Sequence, residues 1–182
     1  VMEPRTDARL AVERVHALEH VTRVERIEGV AKLGPDTYAC EDSFTGLLCA
    51  QSLWLDAVDA ALEEPGMPSW ALARPPGHHA GYASADGFCG FNFGAAAAAY
   101  ALEKLGVESV GLLDWDAHHG NGVAEYVDSE PRAVYASVHQ APLWPGTGDD
   151  DSEMGPLRNR LSAPVSRGAR RLEYAESWAS CI

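Results

Sequence analysis

The feature that most constrains the fold of this chain is an alternation of short apolar runs with helix-like segments between residues 69 and 139. The runs SWALARP, ESVGLLDWD and RAVYASVH predict buried strands, and the segments GAAAAAYALEKLG and NGVAEYVD predict the helices between them. Strands that alternate with helices are typical of crossover units in a parallel sheet. Because ligands bind at the carboxyl ends of such strands, the polar motif after each run is a candidate site segment.

Two further helices are predicted ahead of this alternation. The segment RLAVERVHALEHVTRVERIEG carries apolar residues at helical spacing, which predicts one helix that ends at Gly29. After the loop KLGPDTYACED, a longer helix is predicted from Asp42 or Ser43 to the Pro-Gly break at 65–66. The last part of the chain is rich in turn formers until about Ala169, after which another helix is predicted.

Composition restricts the partners of the chain. With 182 residues, 46% hydrophobic and 23% charged, the chain is predicted to form a single globular domain. Its formal net charge of −13 makes a nucleic-acid backbone a poor partner and favours a cationic substrate. No apolar run is long enough to span a membrane. The four cysteines show no CxxC spacing, and with no visible signal peptide they predict reduced thiols and a cytoplasmic protein.

The motif DWDAHHGNG at 114–122 carries the strongest signal for a metal site. Asp116 and His118 lie two residues apart, and alternate residues of an extended strand end point the same way, so both could face one metal with Asp114 nearby. Carboxylate and imidazole are ligands that Zn²⁺ accepts. A lone Asp-x-His more often caps a turn, but here an apolar strand precedes the acids and glycines follow them, which favours a site.

The motif RPPGHHA at 74–80 presents two adjacent imidazoles, His78 and His79, from a loop that its prolines stiffen and Gly77 turns. One imidazole could act as a general base near neutral pH while its neighbour carries charge or orients water. Exposed loop histidines are the ordinary explanation of one such pair. Two pairs, each after a predicted strand, favour chemistry.

Taken in order, RPPGHHA, GFCGFN, DWDAHHGNG, SVH and WPGTGD resemble the zinc-dependent histone deacetylase family, and most closely its class II-like branch and bacterial relatives, including acetylpolyamine amidohydrolases. The resemblance runs from about Arg14 to Asp149. It implies the α/β arginase/deacetylase fold, in which a parallel sheet lies between helices in a three-layer αβα arrangement. It also implies removal of acetyl groups from lysine side chains or polyamines by a water that zinc activates.

The resemblance also implies a role for each matching residue. Asp116 and His118 match two of the three zinc ligands, and His79 matches the general base and acid. His78 matches the electrostatic partner of that base, Asp114 the carboxylate that holds His78, and Asn121 the residue beside His79. The implied substrate contacts are Gly87 as a backbone acceptor, Phe88 and Trp144 as the two walls of the acyl-lysine tunnel, and Asp42 as a polar residue at the rim. A structural monovalent cation, K⁺, is implied near Asp114, Asp116, His118, Ser137 and Val138.

The chain departs from the family pattern in its last part. No motif supplies the third zinc ligand, an aspartate, after residue 150, and the catalytic tyrosine is also missing, because the surroundings of Tyr174 do not resemble it. We therefore expect residues 1–182 to be a single, incomplete catalytic domain, a fragment cut at both ends. Loss of an oxyanion donor costs about 10²–10³ in rate in other enzymes, so this chain alone is expected to be inactive.

Two alternatives to the deacetylase hypothesis are weighed. A ureohydrolase shares the fold, but it binds two Mn²⁺ ions and needs a carboxylate two residues after the histidine, where this chain has Gly120. A non-catalytic binding domain could also keep the fold. A binding domain is disfavoured by the presence of all four site residues, His78, His79, Asp116 and His118. The missing third zinc ligand is compatible with a binding domain. Oligomeric state is not predicted.

Overall fold

The computed structural model describes residues 3–104, 106–149 and 154–181. The chain forms two compact units, which comprise residues 1–107 and 108–182. The first unit, called unit 1 below, contains four helices and a two-stranded antiparallel hairpin among its described residues. The second, called unit 2, contains a three-stranded parallel sheet and two helices among its described residues.

Unit 1 is a helical unit built around an alanine-rich helix. Its elements are α1 (Ala8–Glu13), α2 (Leu18–Glu25), β1 (Val30–Lys32), β2 (Tyr38–Cys40), α3 (Ser43–Glu63) and α4 (Phe93–Lys104). Helix α3 lies where the apolar periodicity predicts it, and α4 coincides with the predicted small-residue helix. The alanines of α4 are almost fully buried, because small side chains allow α1 and α3 to approach closely.

The prediction of one long first helix is wrong, since α1 and α2 are separate. Ala17 leaves the helical region with φ −58° and ψ 136°, and its N–H donates to the carbonyl oxygen of Tyr82 at 2.8 Å. The helical hydrogen bonds are therefore interrupted between Glu13 and Leu18. This break turns the buried His16 toward the segment around Asn92, 2.9 Å away.

Two further predictions in unit 1 are wrong. The predicted loop KLGPDTYACED contains β2 and the end of β1, which pair in the register Val30–Cys40. The run SWALARP, predicted as a buried strand, has no strand pairing and is exposed, with Trp70 at 75% and Leu72 at 89%. Apolar character alone does not make a strand, because a strand also needs a neighbour that satisfies its backbone hydrogen bonds.

Unit 2 carries the parallel sheet. Its elements are β3 (Val110–Asp114), α5 (Asn121–Val127), β4 (Ala133–Gln140), β5 (Arg160–Val165) and α6 (Arg171–Cys181). The strand order is β3-β4-β5, and both neighbouring pairs are parallel. Strands β3 and β4 and helix α5 confirm the predicted crossover unit, and α6 confirms the last predicted helix. Strand β5 lies within the region predicted to be turn-rich, so that prediction is wrong for Arg160–Val165.

Strand β4 is the core of unit 2. It lies between β3 and β5, and Tyr135, Val138 and His139 are each no more than 1% exposed. Strand β3 lies at the edge among the described strands, and Leu113 is 54% exposed, so the prediction that β3 is fully buried is wrong. The side chain of Asn159 ties this unit together, as its amide nitrogen donates to three backbone carbonyl oxygens.

None of the helices in the described ranges combines the length and apolar character needed to cross a membrane.

Candidate functional site

The segment after β3 folds back on itself through its own carboxylates. Asp114 Oδ1 accepts a hydrogen bond from the N–H of Asp116 at 3.1 Å, and Asp116 Oδ1 accepts one from the N–H of His118 at 2.8 Å. Aspartate side chains that bond the backbone two residues on form tight turns. The strand therefore ends at Asp114, and residues 115–119 turn instead of continuing as an extended strand.

This turn brings the two predicted zinc ligands together. Asp116 Oδ1 lies 3.1 Å from His118 Nδ1, and the two side chains are 46% and 42% exposed. Two donors at Zn²⁺ distances of about 2.0–2.1 Å and a tetrahedral angle lie about 3.3 Å apart, so the pair fits one edge of a zinc site. Among residues 3–104, 106–149 and 154–181, no group of three or more His, Cys, Asp or Glu is placed to hold a metal. Asp116 and His118 thus offer ligand atoms that zinc accepts, but no third ligand lies with them among the described residues.

Asp114 is anchored to the next strand. Its Oδ2 accepts a hydrogen bond from the hydroxyl of Tyr135 at 2.9 Å, and that hydroxyl oxygen accepts the N–H of Gly120 at 2.9 Å. Burial, reinforced by the negative charge of Asp114, raises the pKa of Tyr135 well above its ordinary value. Ser137 is the cross-strand partner of Asp114, and Val138 follows it in the buried strand. The monovalent cation near these residues stays a prediction.

Two buried histidines of unit 2, His119 and His139, hold the loop that carries Trp144. Their rings lie 4.8 Å apart. His119 Nδ1 is hydrogen bonded to Thr147 Oγ1 at 2.8 Å, and His139 Nε2 donates to the carbonyl oxygen of Gly148 at 2.8 Å. The sequence motifs contain both histidines, but spacing alone did not indicate that they would pack together.

The ring of Trp144 is placed against the candidate zinc ligand His118. The two ring centroids lie 5.8 Å apart at 72°, an edge-to-face arrangement. The structure thus brings Asp116, His118 and Trp144 into one neighbourhood in unit 2. Asn121 is the first residue of α5, and its N–H donates to the carbonyl oxygen of His119 at 3.0 Å.

The tandem histidines His78 and His79 lie in unit 1 on a compact turn. Their ring centroids are 3.9 Å apart at 44°, and His79 is only 3% exposed while His78 is partly exposed. The N–H of Ala80 donates to the carbonyl oxygen of Gly77 at 3.1 Å, which closes the turn. A buried imidazole next to a more accessible one suits a proton acceptor with an electrostatic partner.

This turn is fixed by the segment that follows it. Gly77 has φ 101°, and a Cβ there would meet the ring and the backbone nitrogen of Phe93 at 3.0 Å. The N–H of Gly77 donates to the thiol of Cys89 at 3.0 Å, and that thiol donates to the carbonyl oxygen of Gly87 at 3.3 Å. The buried Asn92 donates to the carbonyl oxygen of Ala80 at 3.1 Å. The histidine turn therefore rests on a rigid backbone.

Two more buried histidines, missed by sequence reasoning, support that backbone. His16 Nε2 accepts the N–H of Asn92 at 2.9 Å, and His20 Nε2 donates to the carbonyl oxygen of Gly90 at 2.8 Å. Burial, with a smaller contribution from the neighbouring His20, lowers the pKa of His16 to about 4. Burial also lowers the pKa of His20. Both rings contact Phe91. They are structural groups, and only their tertiary contacts reveal this.

The predicted substrate contacts Gly87 and Phe88 lie next to each other in left-handed backbone, with φ 52° and φ 67°. The ring of Phe88 is 67% exposed and borders a groove of about 430 Å³. Asp42 precedes α3 and is exposed, and its carboxylate makes no capping hydrogen bond to that helix. The backbone N–H of Phe88 donates to Oγ1 of Thr37 at 3.0 Å, and the motifs do not include Thr37.

The predicted site residues therefore form two groups. His78, His79, Gly87 and Phe88 share a network in unit 1, and Asp114, Asp116, His118 and Trp144 share one in unit 2. That the two groups converge in one pocket, and that each residue has its assigned role, stay predictions.

Comparison with known proteins decides the family. The profile of the Histone deacetylase domain matches residues 1–182. The chain belongs to the histone deacetylase family. It is 40% identical over 167 residues to the uncharacterized protein slr0245 of Synechocystis, which covers 91% of this chain and 54% of that protein. It is 33% identical over 150 residues to the polyamine deacetylase HDAC10 of Mus musculus, across 76% of this chain and 22% of that protein.

A solved deacetylase-family structure confirms the fold. The crystal structure of the HDA15 HD domain matches with a TM-score of 0.82 and 33% identity, over 90% of this chain and 48% of that one. The α/β arginase/deacetylase fold predicted from the motifs is thereby confirmed, with its parallel sheet and flanking helices. The chain spans about half the length of that domain and of the Synechocystis protein, and less of HDAC10.

Proposed function

We propose that this deacetylase-family chain supplies the metal-binding turn and the tandem-histidine base of a zinc-dependent amidohydrolase. Its substrates would be acetylated lysine side chains or acetylated polyamines. The proposal depends above all on the 3.1 Å separation of Asp116 Oδ1 and His118 Nδ1, which are hydrogen bonded to each other in this structure and lie as far apart as two ligands of one divalent ion. Family membership and the similarity to a polyamine deacetylase support the reaction class.

In this proposal Asp116 and His118 would hold the zinc. When bound, zinc would polarise the acetyl carbonyl and lower the pKa of a neighbouring water. The buried His79 would accept the proton from that water and deliver it to the leaving amine, and His78 would balance the charge that develops on it. Asp114, whose carboxylate accepts a hydrogen bond from Tyr135, would hold His78, and Asn121 would lie beside His79.

Aromatic side chains, a backbone carbonyl and a carboxylate would hold the substrate. Phe88 and Trp144 would contact the aliphatic stem of the acyl amine, as aromatic faces bury methylene groups without demanding a polar partner. The carbonyl oxygen of Gly87 would accept the substrate amide N–H, and Asp42 would contact the substrate at the rim. The net charge of −13 favours a cationic amine leaving group.

We further propose that the chain as it stands binds zinc weakly and turns over slowly or not at all. Catalytic zinc ordinarily has three protein ligands, and the described residues provide two that converge. Two ligands leave more of the ion's coordination to water, which lowers affinity and leaves the ion less precisely placed. The alternative, a purely binding domain, predicts no hydrolysis even when zinc is saturating.

The test is hydrolysis by the zinc-loaded chain of an Nε-acetyl-lysine peptide and of N-acetylputrescine, measured as released acetate. Asp116→Asn and His118→Ala should abolish the zinc-dependent part of the rate, and Glu176→Gln, an exposed residue of α6, should leave it unchanged. Where acetate is released, zinc-independent release or an equal rate in Asp116→Asn would contradict the proposal. Where neither compound releases acetate, zinc binding decides: weaker binding in Asp116→Asn and His118→Ala supports the proposal, and binding equal to that of the unaltered chain in both variants favours the binding domain.

A further inference from the structure

The backbone of Phe88 is held in a conformation that an isolated phenylalanine rarely adopts. Its φ is 67°, in the left-handed region, and Arg158 is the other non-glycine residue with positive φ among the described residues. Such conformations persist where surrounding contacts over-determine them, and they cluster at functional sites. Because the Phe88 ring is 67% exposed, burial of its own side chain is not what holds it there.

Phe88 is held by the turn that the N–H of Cys89 closes on the carbonyl oxygen of Asp86 at 2.8 Å, and by a side-chain contact from Thr37. Thr37 Oγ1 accepts the N–H of Phe88 at 3.0 Å and donates to Asp36 Oδ1 at 3.1 Å. Thr37 itself is only 3% exposed, so this hydroxyl is shielded from competing water. A shielded hydrogen bond to an otherwise strained residue is expected to matter more than an exposed one.

The backbone of Thr37 is fixed independently of its side chain. Its carbonyl oxygen accepts the N–H groups of Leu33 and Gly34, at 2.8 and 3.2 Å. Gly34 in turn lies so close to the carbonyl oxygen of Ala85 that a Cβ at this position would overlap it. The loop 33–37 is therefore packed rigidly against the segment that leads into Phe88.

Thr37 and Phe88 also share the wall of one groove. The groove has a volume of about 430 Å³, and Tyr38, Leu47 and Arg74 line it together with them. A change in the φ of Phe88 would swing its ring relative to this groove while the packed loop stayed in place. The hydroxyl of Thr37, together with the turn between Asp86 and Cys89, thus sets the position of the exposed Phe88 ring at the groove.

We propose that Thr37 is a positioning residue whose hydroxyl fixes the Phe88 ring for contact with the acyl-amine stem of the substrate. This inference rests on the proposed function, in which Phe88 is a substrate-contacting wall. The inference extends that function by assigning substrate affinity to a hydroxyl that acts through the backbone of Phe88. Thr37 acts through Phe88 and is not a catalytic residue.

The test compares Thr37→Val, which keeps the shape and removes the acceptor, with Thr37→Ser, which keeps the acceptor. Binding of Nα-acetyl-Nε-acetyl-lysine methylamide to the 182-residue chain is titrated by NMR, and the exchange rate of the Phe88 amide proton is measured in the same samples. We expect Thr37→Val to weaken binding about tenfold and to speed Phe88 exchange about tenfold, the effect of about one lost hydrogen bond. Thr37→Ser should stay within about twofold of the unaltered chain. Thr22→Val, in α2, is the control for a valine replacing threonine elsewhere in unit 1.

The two readouts separate failure of this inference from failure of the proposed function. If the unaltered chain binds the probe and Thr37→Val binds it equally well, the positioning role is overturned. Weak binding by Thr37→Ser as well as Thr37→Val would also overturn it, because the effect would then follow packing and not the hydroxyl. If the unaltered chain does not bind the probe, the proposed function fails for this chain, and the exchange rate decides alone. Unchanged Phe88 exchange in Thr37→Val would then overturn the role, and faster exchange that Ser restores would support it.

Discussion

His16 makes unit 1 sensitive to acid, and the size of the effect follows from its burial. Its Nε2 must stay unprotonated to accept the N–H of Asn92, and burial lowers its pKa to about 4. Because the folded pKa is below the unfolded value, the unfolded chain binds the proton more readily. Stability is therefore complete above about pH 6.5 and falls as the pH drops from 6.5 toward 4. The pKa difference corresponds to a loss of about 3 kcal/mol, and the lowered pKa of His20 acts in the same direction.

The assay is urea denaturation at pH 7.5 and pH 4.5, with pulsed hydrogen exchange of peptides from residues 8–25 as the reporter of unit 1. For the unaltered chain a loss of about 3 kcal/mol lowers the urea midpoint by about 1–2 M. His16→Gln keeps an oxygen acceptor for Asn92 but cannot titrate, so its midpoint should fall much less between the two pH values. Val21→Ala, which truncates a fully buried side chain of α2, is the control, since it should lower both midpoints and leave their difference intact. If His16→Gln shows the same pH dependence as the unaltered chain, His16 is not the responsible group.

Three other substitutions test contacts around the candidate site. Gly77→Ala should destabilise unit 1 by about 1–3 kcal/mol in thermal or urea unfolding, because the φ of 101° and the closeness of Phe93 both disfavour a Cβ. An unchanged unfolding midpoint would contradict the claim that this turn is rigid. Asn159→Ala should lower the free energy of unfolding of unit 2 by at least about 2 kcal/mol, because three carbonyl oxygens lose their donor. A decrease below about 0.5 kcal/mol would show that water replaces the amide. Tyr135→Phe removes the donor to Asp114 and the acceptor of Gly120, so it should destabilise unit 2 by about 1–3 kcal/mol in the same assay. An unchanged midpoint would show that these two hydrogen bonds contribute nothing to stability.

The elements that the sequence predicts correctly are those whose residue pattern identifies them without knowledge of their neighbours. Helices α3 and α4 and strand β4 carry long or strongly apolar patterns, so their type and position follow from periodicity. The hairpin β1-β2 was missed because its strands have three residues each, too short to show a pattern. The SWALARP run was predicted to be a strand and is not one, because it pairs with none of the described strands.

In the candidate site, too, contacts between residues close in sequence were predictable and contacts between distant residues were not. Asp116 and His118 converge as spacing suggested, but through a turn built by aspartate hydrogen bonds and not through an extended strand end. The supporting residues Thr37 and His16 lie outside the quoted motifs, and His139, although part of SVH, shows no sign in the sequence of its contact with Gly148. Each acts on a segment distant in sequence or hidden in the core, and only the folded chain shows that contact.

The central claim, that Asp116 and His118 bind one ion together, is tested most directly by zinc affinity. Competition with a chromophoric chelator should show that Asp116→Asn and His118→Ala each weaken zinc binding at least about tenfold. The double variant should bind zinc only slightly more weakly than either single variant, because loss of one of the two ligands already removes the shared site. Zinc affinity that is unchanged in either single variant, or losses that add fully in the double variant, would contradict a shared site.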